Sequence, residues 1–174
     1  TENRAYAKPF KTEFGQQRFI RKKLGIINKL REDNKRLKEQ MQEQQKNLQK
    51  YAKEYYLMGN ECITHMHDTR AALANYDKAI ELYPDYADAW VRKGVTLFNA
   101  DRINEAEACL DKAVRLRPME FKTVYNRGKL RLHTGDTEGA IADLDKATTL
   151  KPQHAGAHEC FGDALTQAGK EMEA

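Results

Sequence analysis

The 174-residue chain has little of what most protein classes require. Its three cysteines, Cys62, Cys109 and Cys160, are odd in number and evenly spread, which argues against a disulfide framework and for a reducing compartment. No apolar run approaches the roughly 18–20 residues of a membrane-spanning helix, so no membrane span is expected. The first residues hold no secretory apolar core. Four prolines and no serine do not suit a disordered chain. There is no Gly-rich phosphate loop, no H-E-x-x-H and no G-x-S-x-G turn, so an enzyme is not expected and no cofactor is implied.

What is present is the composition of a helical protein, rich in Ala, Lys, Leu, Glu and Gln. Charge is divided unevenly. Residues 1–58 carry 15 basic and 7 acidic side chains, a net of +8; residues 59–174 carry 15 and 19, a net of −4, and the two sum to the chain's +4. Gln, Asn, Lys and Arg dominate the first part, Ala and Leu the second, which points to two regions with different tasks.

The second region repeats. Pro84, Pro118 and Pro152 are 34 residues apart, as are Gly94, Gly128 and Gly162. Ala72, Ala106 and Ala140 follow the same period, and so do Ala79, Ala113 and Ala147. Small residues at fixed phases of such a period mark stacked helix pairs, none of which can bury its apolar face alone. Gly lets paired helices approach closely, aromatics such as Trp90 and Tyr55 fill the space between them, and each Pro ends a second helix because it has no backbone N–H to donate.

These units resemble the tetratricopeptide repeat. Residues 87–120 carry its pattern best, with Trp90, Gly94, Leu97, Ala106, Leu110, Ala113 and Pro118 in phase and Lys93 as the departure where a Leu is usual. Residues 52–86 form a first unit with one extra residue, placed in the loop around His65 to Asp68. Residues 121–154 form a third, with Arg131 where an aromatic is expected, and residues 155–174 a partial fourth that keeps Phe161 and Gly162. An array ending in half a unit leaves an apolar helix face uncovered, so either a longer chain or a partner is expected at that end. The resemblance implies an all-α, right-handed superhelix of about three and a half units with a concave groove for other proteins. Its lining would be Lys53, Tyr56, Asn60, Ile63 and Thr64 in the first unit, then Asp88, Val91, Val95, Phe98 and Asn99 in the second. The third unit would add Lys122, Tyr125, Lys129, Leu132 and His133. Such a groove suits a peptide with an apolar stretch and an acidic end, with Lys122 and Lys129 placing positive charge at one end. Members that bind acidic chaperone tails use a two-carboxylate clamp; here its positions hold Tyr56, Asn60, Arg92, Lys122 and Asn126, of which only Asn60 and Lys122 match. Losing the other donors speaks against that use.

Residues 18–51 read as a long basic helix. From Ile26 to Met58 there is no Gly or Pro, a stretch of 33 residues that would span about 50 Å as helix. Ile20, Ile27, Leu30, Asn34, Leu37, Met41, Leu48 and Tyr51 recur at heptad spacing, the seam of a coiled coil. Asn34 at an a position is a register-fixing device. Lys23 and Gln44 interrupt the d positions, which leaves a homodimer and a pairing with a different helix both open. Nine basic and two acidic residues lie between Arg18 and Lys38. They suit phosphate, anionic lipid or an acidic protein surface, but the plainer reading is a solvated coil exterior, and nucleic acid is not the expected partner.

Residues 1–17 read as an extended arm whose aromatics, Tyr6, Phe10 and Phe14, would anchor in a partner, or else as a loose tail. Cys62, His65 and His67 form a C-x2-H-x-H string without a fourth ligand, and Cys62 falls at a packing position of the repeat, so no metal is expected. The whole reads as a non-enzymatic scaffold that meets other proteins through groove, helix and arm. A cytoplasmic architectural subunit of a cytoskeletal or ciliary assembly is the first expectation and a mitochondrial one the second. A soluble adaptor for peptide tails and a nucleic-acid-associated protein are the alternatives.

Overall fold

A computed structural model describes the backbone of residues 13–173 and the side chains of residues 14–169. Every regular element in this range is helical: α1 (Glu13–Glu61), a π-helical turn (Cys62–Met66), α2 (Thr69–Leu82), α3 (Ala87–Asn99), α4 (Ile103–Leu116), α5 (Phe121–Thr134), α6 (Thr137–Leu150) and α7 (Ala155–Glu173). The chain divides into two units, Thr1–Asn47 and Leu48–Ala174.

In the first unit the helix begins earlier than expected. Residues 13–17 belong to α1 rather than to an extended arm. Beyond Pro9 the only breaker in this stretch is Gly15, and one isolated Gly weakens a helix by about 1 kcal/mol relative to Ala without ending it. Phe14 stands on the opening turn, 81% exposed; Tyr6 and Phe10 lie outside the described residues. Gly25 sits within α1 with nothing near its missing Cβ.

The second unit is an array of antiparallel helix pairs: the end of α1 with α2, α3 with α4, α5 with α6, and then α7. Neighbouring pairs pack through α2 on α3, α4 on α5 and α6 on α7. Local chemistry sets the helix ends. Asp68 and Asp136 cap α2 and α6 by accepting the N–H of Ala71 and Gly139 at 2.9 and 3.0 Å. α5 stops at Gly135, whose φ of 82° is the left-handed conformation only glycine adopts freely. Pro84, Pro118 and Pro152 each stand two residues beyond a second helix.

The extra residue of the first helix pair is not loop. It is absorbed in the π-helical turn Cys62–Met66, closed by the N–H of Asp68 on the carbonyl of Cys62 at 3.0 Å, with His67 left-handed at φ 51°. A π turn takes one more residue per turn, so the pair keeps its packing register on both sides of the insertion.

Close approach within each pair follows the glycines. A Cβ on Gly94 would come within 2.8 Å of Leu110 Cγ, one on Gly128 within 2.8 Å of Leu144 Cγ, and one on Gly59 within 2.5 Å of the Tyr76 ring. Tyr76, Leu110 and Leu144 are at most 1% exposed. Trp90 is half-buried and donates its indole N–H to the Pro84 carbonyl at 2.8 Å. Gly162, at the same phase in α7, has nothing within 4 Å.

The two departures from the repeat pattern have electrostatic partners. Lys93 pairs with Asp77 of the preceding helix pair at 2.6 Å. One period later Arg127 repeats the contact with Asp111 at 3.0 Å and grips the buried Asp143 through two nitrogens at 2.7 Å each. Arg131, in place of an aromatic, donates to the same Asp143 at 3.0 Å. Asp143 raises the Arg127 guanidinium further above its already high value, Asp111 adding to the effect. Position seven is therefore a cation that ties one helix pair to the previous one.

Candidate binding groove

The groove is built by the first helices of successive pairs, whose exposed sides share one face. Two adjoining cavities lie along it. One, about 330 Å³, is bounded by Asn60, Ile63 and Thr64 from the end of α1 and its π turn, by Tyr76, and by Arg92, Val95 and Asn99 from α3. The other, about 440 Å³, lies between Tyr56, α3 and the start of α5, with His154 at its far side. Arg92 and Val95 border both.

Of the residues expected to line the groove, Tyr56, Asp88, Val91, Lys122 and Tyr125 meet around the larger cavity, Asn60, Ile63, Thr64 and Asn99 around the smaller, and Val95 around both. Lys53, Phe98, Lys129, Leu132 and His133 border neither. Phe98 packs edge-on against His133 at 5.1 Å, and the Lys129 ammonium lies 5.7 Å from the centre of the Tyr125 ring. Asn60 spends its side-chain carbonyl oxygen on the Tyr76 hydroxyl, which donates to it at 2.9 Å.

Aromatic side chains wall both ends. Tyr56 tilts against Tyr86 at 5.2 Å and Tyr76 at 6.3 Å. Tyr125 stacks on Phe121 at 5.2 Å and meets His154 at 5.1 Å. Burial pushes the Tyr86 phenol up to about 12, with Tyr56 and Asp88 adding to it. Burial likewise raises Tyr76, opposed by the nearby Arg92.

The charges differ from the expected placement. Lys122 approaches Asp88 at 3.9 Å, and Asp88 also accepts from Arg117 at 3.2 Å, so the positive end foreseen at Lys122 and Lys129 is partly neutralised. Among the described residues no carboxylate pairs with Arg92, which is exposed on α3 where the cavities meet. Its position in the repeat was legible; its standing as the groove's uncompensated cation was not, because that depends on where Asp88 turns. His154 was missed altogether. It lies before α7, outside the first-helix positions that line the groove, and its Nδ1 accepts the Ala157 N–H at 3.1 Å as a helix cap.

The C-x2-H-x-H string does not converge. Cys62 is buried and takes the Asn75 side-chain N–H at 3.6 Å, while His65 and His67 are exposed.

A stack of antiparallel helix pairs with a polar, aromatic-walled groove on its first-helix face is a helical-repeat binding module. Two family models described as tetratricopeptide repeat match residues 65–125 and 96–155. The chain belongs to the tetratricopeptide-repeat family. It is 35% identical over 77 residues to an uncharacterized protein of Methanocaldococcus jannaschii, covering 44% of this chain and 88% of that one. Among solved structures it is similar to the first such domain of Spaghetti (RPAP3) bound to the HSP90 peptide SRMEEVD, with TM-score 0.67, 19% identity and coverage of 70% of this chain and 95% of that one. It is also similar to the Arabidopsis OM64 domain, with TM-score 0.64, 20% identity and coverage of 68% and 98%. Tetratricopeptide repeats are protein-interaction modules, and no described helix is long and apolar enough to cross a membrane.

Proposed function

We propose that this chain is a non-enzymatic scaffold whose groove holds an extended segment of a partner protein, with a carboxylate of that segment on Arg92. The observation that carries this is the exposed Arg92 shared by both cavities, without an acidic partner among the described residues and flanked by Val91, Val95 and the Tyr56 and Tyr125 rings. A guanidinium in that setting gives a carboxylate two parallel hydrogen bonds, while the rings and valines take apolar side chains on either side. The scaffold acts as an architectural subunit of a larger assembly, a cytoskeletal or ciliary one by analogy with proteins that join a long helix to repeats. The test is selection of displayed random dodecapeptides on the full chain. Selected peptides should carry Asp or Glu, and Arg92→Glu should abolish their binding. Basic or purely apolar ligands that ignore Arg92→Glu would refute the reading.

One observation favours a second reading, an adaptor for acidic C-terminal tails. Asn60 and Lys122 stand at two clamp positions, and a similar fold carries an HSP90 tail peptide. Against it, Tyr56 and Asn126 replace cations, and Asp88 puts a carboxylate beside Lys122. Titration with SRMEEVD as free acid and as C-terminal amide separates the readings. An adaptor binds the acid and loses the amide; the scaffold reading expects no such dependence on a free terminus.

A further inference from the structure

The groove leaves α1 unexplained. Ile27, Leu30, Leu37 and Met41 are between 42% and 67% exposed on one stripe of this helix, an apolar surface that water penalises along its whole length. We propose that this stripe pairs with α1 of a second copy of the same chain, in parallel and in register, as a two-stranded coiled coil. The occupant follows from the side chains flanking the stripe.

With Ile27 and Asn34 at a, and Leu30 and Leu37 at d, the e positions are Leu24, Arg31, Lys38 and Gln45. The g positions are Phe19, Ile26, Asp33 and Gln40. In a parallel pair each g side chain meets the e side chain five residues on in the other copy. Asp33 then faces Lys38 of the second copy, and symmetry makes this ion pair twice. Phe19 faces Leu24 and widens the apolar seam, Ile26 lies along the aliphatic stem of Arg31, and Gln40 faces Gln45. Among these e and g pairs no like charges meet; the one like-charge meeting on the seam is Lys23, at d, against its own copy. In an antiparallel pair e faces e and g faces g. The only charged e residues are both cations, and Asp33 finds no cation among the g residues, so that orientation offers no ion pair in any register.

Register is fixed by Asn34. In the symmetric pair its amide meets its own copy, each donating to the other; a shift of one heptad would set it against Ile27 or Met41 and strand a buried polar group. Ile at a with Leu at d favours two strands over three. The seam is weakest at Lys23 and Gln44, so the pairing is centred between Ile27 and Met41. This arrangement also disposes of the basic character of the helix. Arg21, Lys22, Lys29, Lys35 and Arg36 fall at b and c, outside the seam and solvated.

The test uses the full chain. Sedimentation equilibrium at micromolar concentration should give twice the 20.1 kDa monomer mass. Asp33→Lys should weaken the dimer by about tenfold, and Asp33→Lys with Lys38→Asp should restore it. Leu30→Cys should cross-link to itself under mild oxidation. Leu30→Glu with Leu37→Glu should give monomer while the thermal transition of the repeat array, followed by circular dichroism, stays in place; this shows the loss to be one of pairing and not of folding. A monomer at high micromolar concentration, a trimer, or a charge exchange that fails to restore pairing would each overturn the proposal. So would Leu30→Cys chains that refuse to cross-link while the dimer persists.

Discussion

At the scale of single residues, the positions that break the family pattern are the ones that the structure explains by charge. Lys93 looked like a misfit for leucine and Arg131 like a misfit for an aromatic; each has an aspartate within reach, Asp77 and Asp143 respectively. The sequence shows the cations and the aspartates but not their pairing, since sixteen residues of helix and turn separate Lys93 from Asp77 and Arg127 from Asp143. Asp143 is 5% exposed and compensates two guanidiniums. Asp143→Asn should therefore destabilise the array by about 2–3 kcal/mol, because the half-buried Arg127 and Arg131 lose the carboxylate they share and keep only Asp111 and Asp136; denaturant unfolding measures it. Tyr86 gives a pH signature. Its phenol rises from 10.0 unfolded to about 12 folded. The neutral phenol thus contributes stability that is complete below pH 10 and is lost as pH climbs through about 12. Melting temperatures taken across this alkaline window should fall less steeply in Tyr86→Phe, which cannot ionise, and part of the fall should remain because Tyr76 and Tyr125 are raised in the same direction.

At the scale of elements, the helix pairs were legible because a fixed period multiplies weak signals: one Gly or Pro means little, three in phase define a unit. The departures came where one residue of slack exists. The insertion near His65 could have lengthened a loop or widened a turn, and composition does not distinguish them; the Cys62 carbonyl, accepting the N–H of His67 five residues on, makes it a π turn. The start of α1 was misjudged because Gly15 and the aromatics suggested an arm, whereas helix propagation across one glycine is cheap. Glycine substitutions test the packing directly. Gly94→Ala should cost about 1–3 kcal/mol, since its Cβ would press on Leu110 Cγ at 2.8 Å and on the Ala106 carbonyl at 3.3 Å. Gly162→Ala, at the same phase but with nothing within 4 Å, should stabilise α7 by up to about 1 kcal/mol. Thermal melts of the two variants should move in opposite directions; equal destabilisation would mean that another surface already covers α7.

At the scale of the whole molecule, the sequence points to a repeat array with a binding face, and the fold redistributes the charge on that face. The groove's expected positions come from the resemblance to the tetratricopeptide repeat, whereas the state of each charge depends on the neighbours that the fold brings to it. Asp88 takes up Arg117 and Lys122, and Arg92 is left as the cation at the junction of two cavities. Affinity for a partner segment should accordingly weaken with salt, as a charge-assisted contact does. Amide chemical-shift mapping of the full chain against a selected acidic dodecapeptide tests this most directly. The largest shifts should fall on Val91, Arg92, Val95, Lys122 and Asn126 and vanish in Arg92→Glu. Shifts centred on α4 and α6, or a map that Arg92→Glu leaves unchanged, would contradict a groove organised around that arginine.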